Sequence, residues 1–457
     1  MAHEDLKQLF QTRLGRYQAA ISLQPIDRIP IATGSNYFAE IYSGNNQQQT
    51  LYDPKKWLEA EEIFIRDFPE VDVLRNNRIY GPLYDAINCR TYKLPGRELE
   101  PNTQFQFVEK EYMKPEEYDD LINDPRAFMM NCFLPRVLGE YTVPGTGRSH
   151  IAFLKAGMAQ MMMGQIMRDR TIHLETKCGM PQPTGGAFLA PLDVVGDALR
   201  GLNGVLMDMY RLPAKLKAAC EVIIDEITHF ALATADPFKR WPIFVPTHKP
   251  MFLAPAQFDE FYWPSFKKVI ENLIAAGHTV RAYLEGDWSA HLHRLTELPK
   301  GKILFDIDSQ GDIFKAKEIL GGHSCIAGGV KDSQLILGTP QEMRAHVKHL
   351  CQTVGKDGGF IISGGCNFPY TTKAENLRAL IDAILEFGVY DTKITALPRP
   401  LDAERKTVPG LKPPQQITPW ATKLEELGGV KGDENLIRAP WEQLENMAYT
   451  WIWQWVM

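Results

Sequence analysis

The chain has 457 residues, 44% of them hydrophobic and 23% charged, and 50 Lys+Arg set against 56 Asp+Glu give a net charge of −6. That composition belongs to a folded globular protein and excludes wholesale disorder or collagen-like repeats. The acidic balance, with no Lys/Arg-rich run, argues against phosphate-backbone binding, and no apolar run reaches the ~18 residues that span a bilayer.

Short β-rich runs alternate with longer helical patterns along most of the chain. A helix-like stretch through Tyr17–Leu23 precedes a first strand at Arg28–Ala32, bracketed by Pro25 and Pro30, since prolines belong at strand edges. A helix from Pro54 to Asp67, with Asp53 as N-cap and Pro54 in its first position, precedes a second strand at Val71–Leu74. Residues 80–150 lose the alternation and read as an insertion or lid-like excursion. The Met-rich run Met158–Met163, with Met167, then suits core packing better than the wall of a pocket.

Six further strands are expected at Gly185–Leu189, Ile243–Thr247, Thr279–Leu284, Ile303–Ile307, Ser324–Gly328 and Phe360–Ser363. Helical patterns at Pro255–Ala276, Asp312–Leu320 and Pro340–Val354 connect them. The strands are nearly continuous apolar runs, as parallel strands covered on both faces should be. Eight such units predict an α/β fold of the (β/α)8 TIM-barrel type over residues 1–396. Neither G-x-G-x-x-G nor G-x-x-x-x-G-K-[ST] is present to cradle a nucleotide.

Residues 397–457 form an expected C-terminal extended arm plus helix. Prolines 398, 400, 409, 413 and 414 extend the chain, and Trp441, Leu444, Ala448, Trp451 and Trp455 fall on one helical face, with Glu442 and Glu445 on the polar one. That face suits packing on the chain's own barrel or an embrace of a second subunit in a homodimer. The acidic polar face does not suit a membrane surface. The polar N-terminus, Met1-Ala2-His3-Glu4-Asp5, is no secretory signal. Seven cysteines without a C-x-x-C spacing read as reduced thiols in the cytoplasm.

In such a barrel the chemistry sits at the carboxyl ends of the strands. The expected strands run into His248, Tyr283-Leu-Glu285, Asp306-Ile-Asp308, Asp332 and Cys366. Imidazole, carboxylate and thiolate together make a zinc ligand set, and three protein ligands leave one position open for substrate. Each residue alone also suits a structural role, as a turn histidine, a loop carboxylate or a small buried thiol. His323 and Cys325 form a second His-x-Cys pair, but Cys325 lies deeper than the strand end. Tyr37 and Phe38, after strand one beside Asn36, would face the same mouth as stacking or roofing side chains.

The segments Arg16-Tyr-Gln-Ala-Ala-Ile21 with Pro25-Ile-Asp-Arg-Ile-Pro30, Pro250-Met-Phe-Leu-Ala-Pro255 through Pro264, and Gly358-Gly-Phe-Ile-Ile-Ser-Gly-Gly-Cys366-Asn-Phe-Pro369 with Glu375-Asn376 resemble the uroporphyrinogen decarboxylase superfamily, which includes corrinoid-dependent methyltransferases. The resemblance covers roughly residues 13 to 390, and its last segment is similar to the methyltransferase branch. It implies a TIM-type barrel without flavin or nicotinamide. The decarboxylases' Arg-rich substrate motif is absent from Gly34–Phe38. The methyltransferases' zinc-binding His-x-Cys is replaced by Tyr283-Leu-Glu285, while their later cysteine is kept as Cys366. By that resemblance zinc sits on His248, Glu285 and Cys366. The expected substrate, a small methylated compound of the O-methyl kind, contacts Asn36, Tyr37 and Phe38. Tyr283, Glu285 and Asp308 carry the chemistry, with Tyr283 or Asp308 supplying a proton. The methyl acceptor is the cobalt of cobalamin on a separate corrinoid protein, since no Asp-x-His-x-x-Gly stretch is present. The alternatives are a decarboxylase or lyase of a small acid, and a non-catalytic tetrapyrrole- or corrinoid-binding protein.

Overall fold

Asp53 and Pro54 start a helix as the sequence predicts: the Asp53 carboxylate accepts from the Lys55 amide at 2.9 Å, and the helix runs Pro54–Asp67. It returns the chain to the sheet in a computed structural model that describes residues 3–34, 37–75, 79–365, 368–393, 406–414 and 416–456. The strands are β1 (Ala32–Gly34), β2 (Val73–Arg75), a small antiparallel pair β3 (Tyr92–Lys93) and β4 (Gln106–Phe107), then β5 (Ile243–Thr247), β6 (Val280–Leu284), β7 (Ile303–Ile307), β8 (Cys325–Gly329) and β9 (Phe360–Ser363).

β5 to β9 form one parallel sheet in sequence order, and β1 pairs in parallel with β2. A parallel bridge from Ile31 to Ile362 carries β1 onto β9, and another from Ala187 to Phe244 sets the 185–189 segment beside β5. The parallel order is thus β2–β1–β9–β8–β7–β6–β5–(185–189). Among the described residues no ladder joins β2 to the 185–189 segment, so the expected closed barrel is seen as a parallel α/β sheet. Every residue of β6, β7 and β9 is buried, as strands covered on both faces require.

Two expected strands differ. The first begins at Ala32 rather than Arg28. There the chain is committed to Asp72, fully buried, which accepts from the Ile31 amide at 2.8 Å, from Arg28 at 2.7 Å and from Arg16. Gly185–Leu189 contributes one bridge instead of a ladder, since Gly185 and Gly186 let the backbone pass against Asp236 and Ala235 where a Cβ would collide.

The Met-rich run lies in a 32-residue helix, Gly147–Cys178. Core packing is met only in part: Met158, Met161 and Met162 are exposed, while Met163 packs partly buried against the core. The buried face is instead the small-residue row Ala152, Ala156 and Ala159, continued by Arg170 and Leu174. The Trp-rich tail also turns differently. The helix Asn435–Trp453 buries Glu445, Tyr449, Ile452 and Trp453, whereas Leu444 is 60% exposed. The polar groups decide the rotation: Tyr449 donates to Glu226 Oε2 at 2.5 Å, and Glu445 accepts from the Thr418 amide at 3.0 Å. The helix packs on the chain's own helix Pro213–Thr234.

Helices Pro54–Asp67 and Gly147–Cys178 are joined by a buried bidentate pair, Arg170 with Glu61, at 2.6 Å for both bonds. Removing one partner of such a pair strands the other charge. Arg170→Met should cost about 3–5 kcal/mol in urea unfolding, and adding Glu61→Leu should restore most of that loss.

Candidate functional site

Site residues gather at the carboxyl ends of β5, β6 and β7. The site begins with two aspartates on the segment after 185–189. That segment starts as a helical turn, Pro191–Asp193, and continues as a π-helix, Val194–Leu199. Its wider turn puts Asp193 and Asp197 on the side facing the end of β5, and such π-turns are frequent at functional sites. Asp193 Oδ1 accepts from the backbone amides of His248 at 3.2 Å and Lys249 at 2.8 Å, while Tyr262 donates to its other oxygen at 2.8 Å. Asp197 Oδ2 lies 2.5 Å from His248 Nδ1, and its other oxygen pairs with Lys249. Lys249, only 3% exposed, lies across Gly196, where a Cβ would sit 2.5 Å from its Cε, and ends 3.1 Å from Glu109. Glu109 belongs to the irregular 80–150 stretch, so that stretch reaches the site.

With Nδ1 held by Asp197, His248 presents Nε2 to Glu285 Oε2 at 3.6 Å. Burial opposes charge on this imidazole, but the Asp197 carboxylate outweighs it and pushes the His248 pKa up to about 9. Burial raises Asp193, helped by the charge of Asp197. Burial also works to raise Asp197, but His248 and Lys249 overcome it and hold that carboxyl below the usual range. Glu285 is raised, chiefly by desolvation, with His248 acting the other way.

Tyr283, at β6, donates to Asp308 Oδ1 at 2.5 Å. Asp308 also accepts from the amides of Gly286 at 2.9 Å and Ser309 at 2.6 Å, so it anchors the turn that carries Glu285. Gly365 places its Cα side against Asp332 and Asp308, at 3.2 and 3.9 Å from a would-be Cβ. Cys366 follows it but lies, with Asn36, outside the described residues. The structure therefore brings His248, Glu285, Tyr283 and Asp308 to one rim, with His248 and Glu285 as a facing pair.

The aromatic residues after strand one take other roles. Phe38 does not face the mouth: it is 3% exposed and its ring packs on Phe64 and Phe68 at 6.1 and 6.3 Å. Tyr37 is buried too, at φ 64°, where its amide donates to Glu40 at 3.0 Å. Cys325 is fully buried at the start of β8, and His323 bonds Ser324 at 3.0 Å, so neither reaches the rim. Sequence reasoning missed Asp193, Asp197, Lys249 and Tyr262. The signal for the aspartates was two carboxylates four apart in the otherwise apolar run Leu189-Ala-Pro-Leu-Asp-Val-Val-Gly-Asp197.

Two other features lie away from this rim. Among the described residues, Glu62, His173 and Cys178 form a group that could hold a metal ion, with ligand atoms all within 4.8 Å of one another. A cavity of about 1010 Å³ opens at the amino ends of β7 and β9, beside Lys300, Lys302 and Lys317. The amino end of a parallel sheet is ordinarily the face that serves stability.

Parallel strands carrying a His, carboxylates and a buried lysine at their carboxyl ends define an α/β protein with an enzyme-like site. Residues 165–387 match the family described as Uroporphyrinogen decarboxylase (URO-D). The chain is 26% identical over 211 residues to the uroporphyrinogen decarboxylase of Anaeromyxobacter dehalogenans (strain 2CP-C), covering 45% of this chain and 57% of that protein. Its fold is similar to a methyltransferase from Methanosarcina mazei, with a TM-score of 0.56 and 17% identity over 83% of this chain and 98% of that one. The expected family resemblance is borne out. Among the described residues no helix is long and apolar enough to cross a membrane.

The raised His248 pKa makes a signed prediction. The folded, metal-free protein holds a proton that the unfolded chain releases near 6.5, so this contribution to stability is fully present below pH 6.5 and is lost as the pH rises through about 9. In urea unfolding, the stability advantage of wild type over His248→Gln should be constant below pH 6.5 and narrow steadily toward pH 9–10.

Proposed function

We propose that the protein is a zinc-dependent methyltransferase that moves a methyl group from a small O-methylated compound to the cobalt of a corrinoid carried by a separate protein. The observation that carries this reading is the facing of His248 Nε2 and Glu285 Oε2 at 3.6 Å, with Asp197 fixed on the far imidazole nitrogen. A carboxylate behind a ligating histidine is the usual support of a zinc site, because it fixes the tautomer and ring orientation. In this reading the 1–396 unit is a closed (β/α)8 barrel, and His248, Glu285 and Cys366 are the zinc ligands. The donor set fits the ion: one imidazole and one carboxylate converge at the open end of the sheet, and a thiolate from Cys366 would complete a zinc-binding trio.

Zinc held there would act as a Lewis acid on the methyl-bearing oxygen. The residues do the rest. Asp197 orients His248, and Asp193 fixes the backbone from which it projects. Asp308 holds the Gly286 turn and with it Glu285. Tyr283, already hydrogen-bonded to Asp308, stands to pass a proton to the oxygen that loses its methyl group. Asn36 remains assigned to the substrate side, and the buried Tyr37 and Phe38 are left to the core. Free thiols at Cys89, Cys132, Cys178, Cys220, Cys325 and Cys351 agree with a cytoplasmic setting.

The experiment is a methyl-transfer assay with reduced free cobalamin against a panel of methoxylated compounds, read as the spectral change to methylcobalamin, together with zinc analysis of the same preparations. Wild type should carry zinc and turn over. Cys366→Ala and Glu285→Gln should lose both, and Asp197→Asn should lower zinc affinity by about 10–100-fold. Methyl transfer at the wild-type rate in Cys366→Ala and Glu285→Gln would end the zinc assignment. One observation favours a second reading. The charged imidazole of His248, beside a raised Glu285, suits acid–base work on a small carboxylic acid. That lyase reading requires carbon dioxide release without any corrinoid.

A further inference from the structure

Helix Pro54–Asp67 carries Glu62, and helix Gly147–Cys178 carries His173 and ends on Cys178. Both helices run back from the carboxyl toward the amino ends of the sheet, so their last turns lie on the side opposite the His248 rim. There the His173 Nε2 atom sits 2.7 Å from Glu62 Oε1, and the Cys178 sulfur, the imidazole nitrogen and the carboxylate oxygen all fall within 4.8 Å of one another. Tetrahedral zinc with bonds of about 2.0–2.3 Å sets its ligand atoms roughly 3.4–3.7 Å apart.

The frame around the three ligands is rigid, which separates them from a chance surface grouping. Arg13, 2% exposed, donates to the carbonyls of Cys178 at 3.0 Å, Gly179 at 2.8 Å and Pro69. One guanidinium thus ties the end of the long helix to the segment just past helix Pro54–Asp67. Gly179 adopts φ +58°, and a Cβ there would meet the Leu6 carbonyl at 2.9 Å, so the turn that presents Cys178 is fixed by close packing on the N-terminal helix. One helical turn from His173, and next to Glu62 in sequence, the Arg170–Glu61 pair locks the two helices together at 2.6 Å. Arg170 is itself held by Gln182 at 2.8 Å and lies over the Trp57 ring at 4.8 Å. Ligands borne on helices whose backbones are fixed by buried hydrogen bonds are the arrangement a metal site requires.

We propose that Glu62, His173 and Cys178 bind one zinc ion, which clips helix Pro54–Asp67 to the end of helix Gly147–Cys178 and leaves a fourth position to water. A soft thiolate with imidazole and carboxylate selects zinc over magnesium or calcium, which prefer all-oxygen shells. The site is distinct from the one proposed at the carboxyl ends of β5 and β6 and does not depend on the methyltransferase reading.

The test uses the full chain and cobalt(II) as a spectroscopic stand-in for zinc. In a Cys366→Ser protein, titration with cobalt should give one equivalent of a thiolate-to-cobalt charge-transfer band with tetrahedral visible bands, displaced by one equivalent of zinc. Adding Cys178→Ser should abolish the charge-transfer band, and His173→Ala should weaken cobalt binding by at least 100-fold. Zinc should also raise the thermal midpoint of Cys366→Ser protein and leave that of the Cys178→Ser double variant unmoved. Should Cys366→Ser fold poorly, wild type and Cys178→Ser are compared instead, and the variant must bind one equivalent of zinc fewer. A charge-transfer band that survives Cys178→Ser, or equal zinc stoichiometry in those two proteins, overturns the proposal. Zinc and methyl transfer that survive Cys366→Ala and Glu285→Gln would instead overturn the catalytic zinc and leave this site standing.

Discussion

Asp193 fixes the candidate site more than any other side chain. It is wholly buried, and it accepts the backbone amides of both His248 and Lys249 just past the end of β5. Those amides sit where the strand's ladder has stopped, so without Asp193 the buried Lys249 amide would lose its partner, which costs about 1–3 kcal/mol. The same carboxylate takes the Tyr262 hydroxyl at 2.8 Å, which joins the turn to the π-helical stretch Phe258–Tyr262 that follows. Four residues later Asp197 repeats the device on side chains rather than backbone, with His248 and Lys249. The pair divides the work. Asp193 sets where the turn lies, and Asp197 sets which imidazole nitrogen faces the open end.

A charged cluster this dense has to be neutralised locally, because unpaired charge in a buried setting costs more than its hydrogen bonds return. Asp193, Asp197, Glu285 and Glu109 face His248 and Lys249 here, and the network resolves by splitting the carboxyls. Asp197 stays ionised beside two cations, while burial pushes Asp193 toward its neutral form. Glu285, at the outer side with a side chain 45% exposed, is the carboxylate left facing the mouth. It is therefore the one free to exchange His248 for another partner, and a ligating or acid–base role needs that freedom. The irregular 80–150 stretch enters this balance through Glu109, so it bears on the charge of the site as well as on its shape.

Much of the sheet was legible because its strands are short, apolar and bounded by turn residues. Ile243–Thr247, Ile303–Ile307 and Phe360–Ser363 have the expected ends, as does the Pro54–Asp67 helix with its Asp53 cap. What stayed hidden depended on contacts far apart in the chain. Nothing local marks the Met face of Gly147–Cys178 as outward, since both faces are apolar; alanines win the inner side because they let the helix approach the neighbouring Gly81–Ala86 turn closely. The Trp-rich helix turned on Glu226, two hundred residues away, because Tyr449 needed a buried acceptor. Asp193 and Asp197 entered no expectation for the site. Their role appears only when β5 is laid alongside, and the same holds for Phe38, whose partners Phe64 and Phe68 come from the next helix.

In the proposed reading Glu285 stands where the resemblance implies a ligating cysteine, which would have a physical consequence for a metal at the rim. A thiolate donates more charge to zinc than a carboxylate does, so a site with oxygen in its place leaves the ion a stronger Lewis acid toward a hard oxygen donor. The position of His248 fits that change. It comes from the end of β5, one strand over from Tyr283 and Leu284 in the sheet register, so the imidazole meets Glu285 from the neighbouring strand instead of from two residues back on the same one. The two donors then belong to separate turns, each anchored by its own aspartate, Asp193 for one and Asp308 for the other. Under the proposed reading, such a site would gain independent control over the placement of each ligand, and a substrate oxygen between the two turns would be gripped by a geometry that neither turn alone defines.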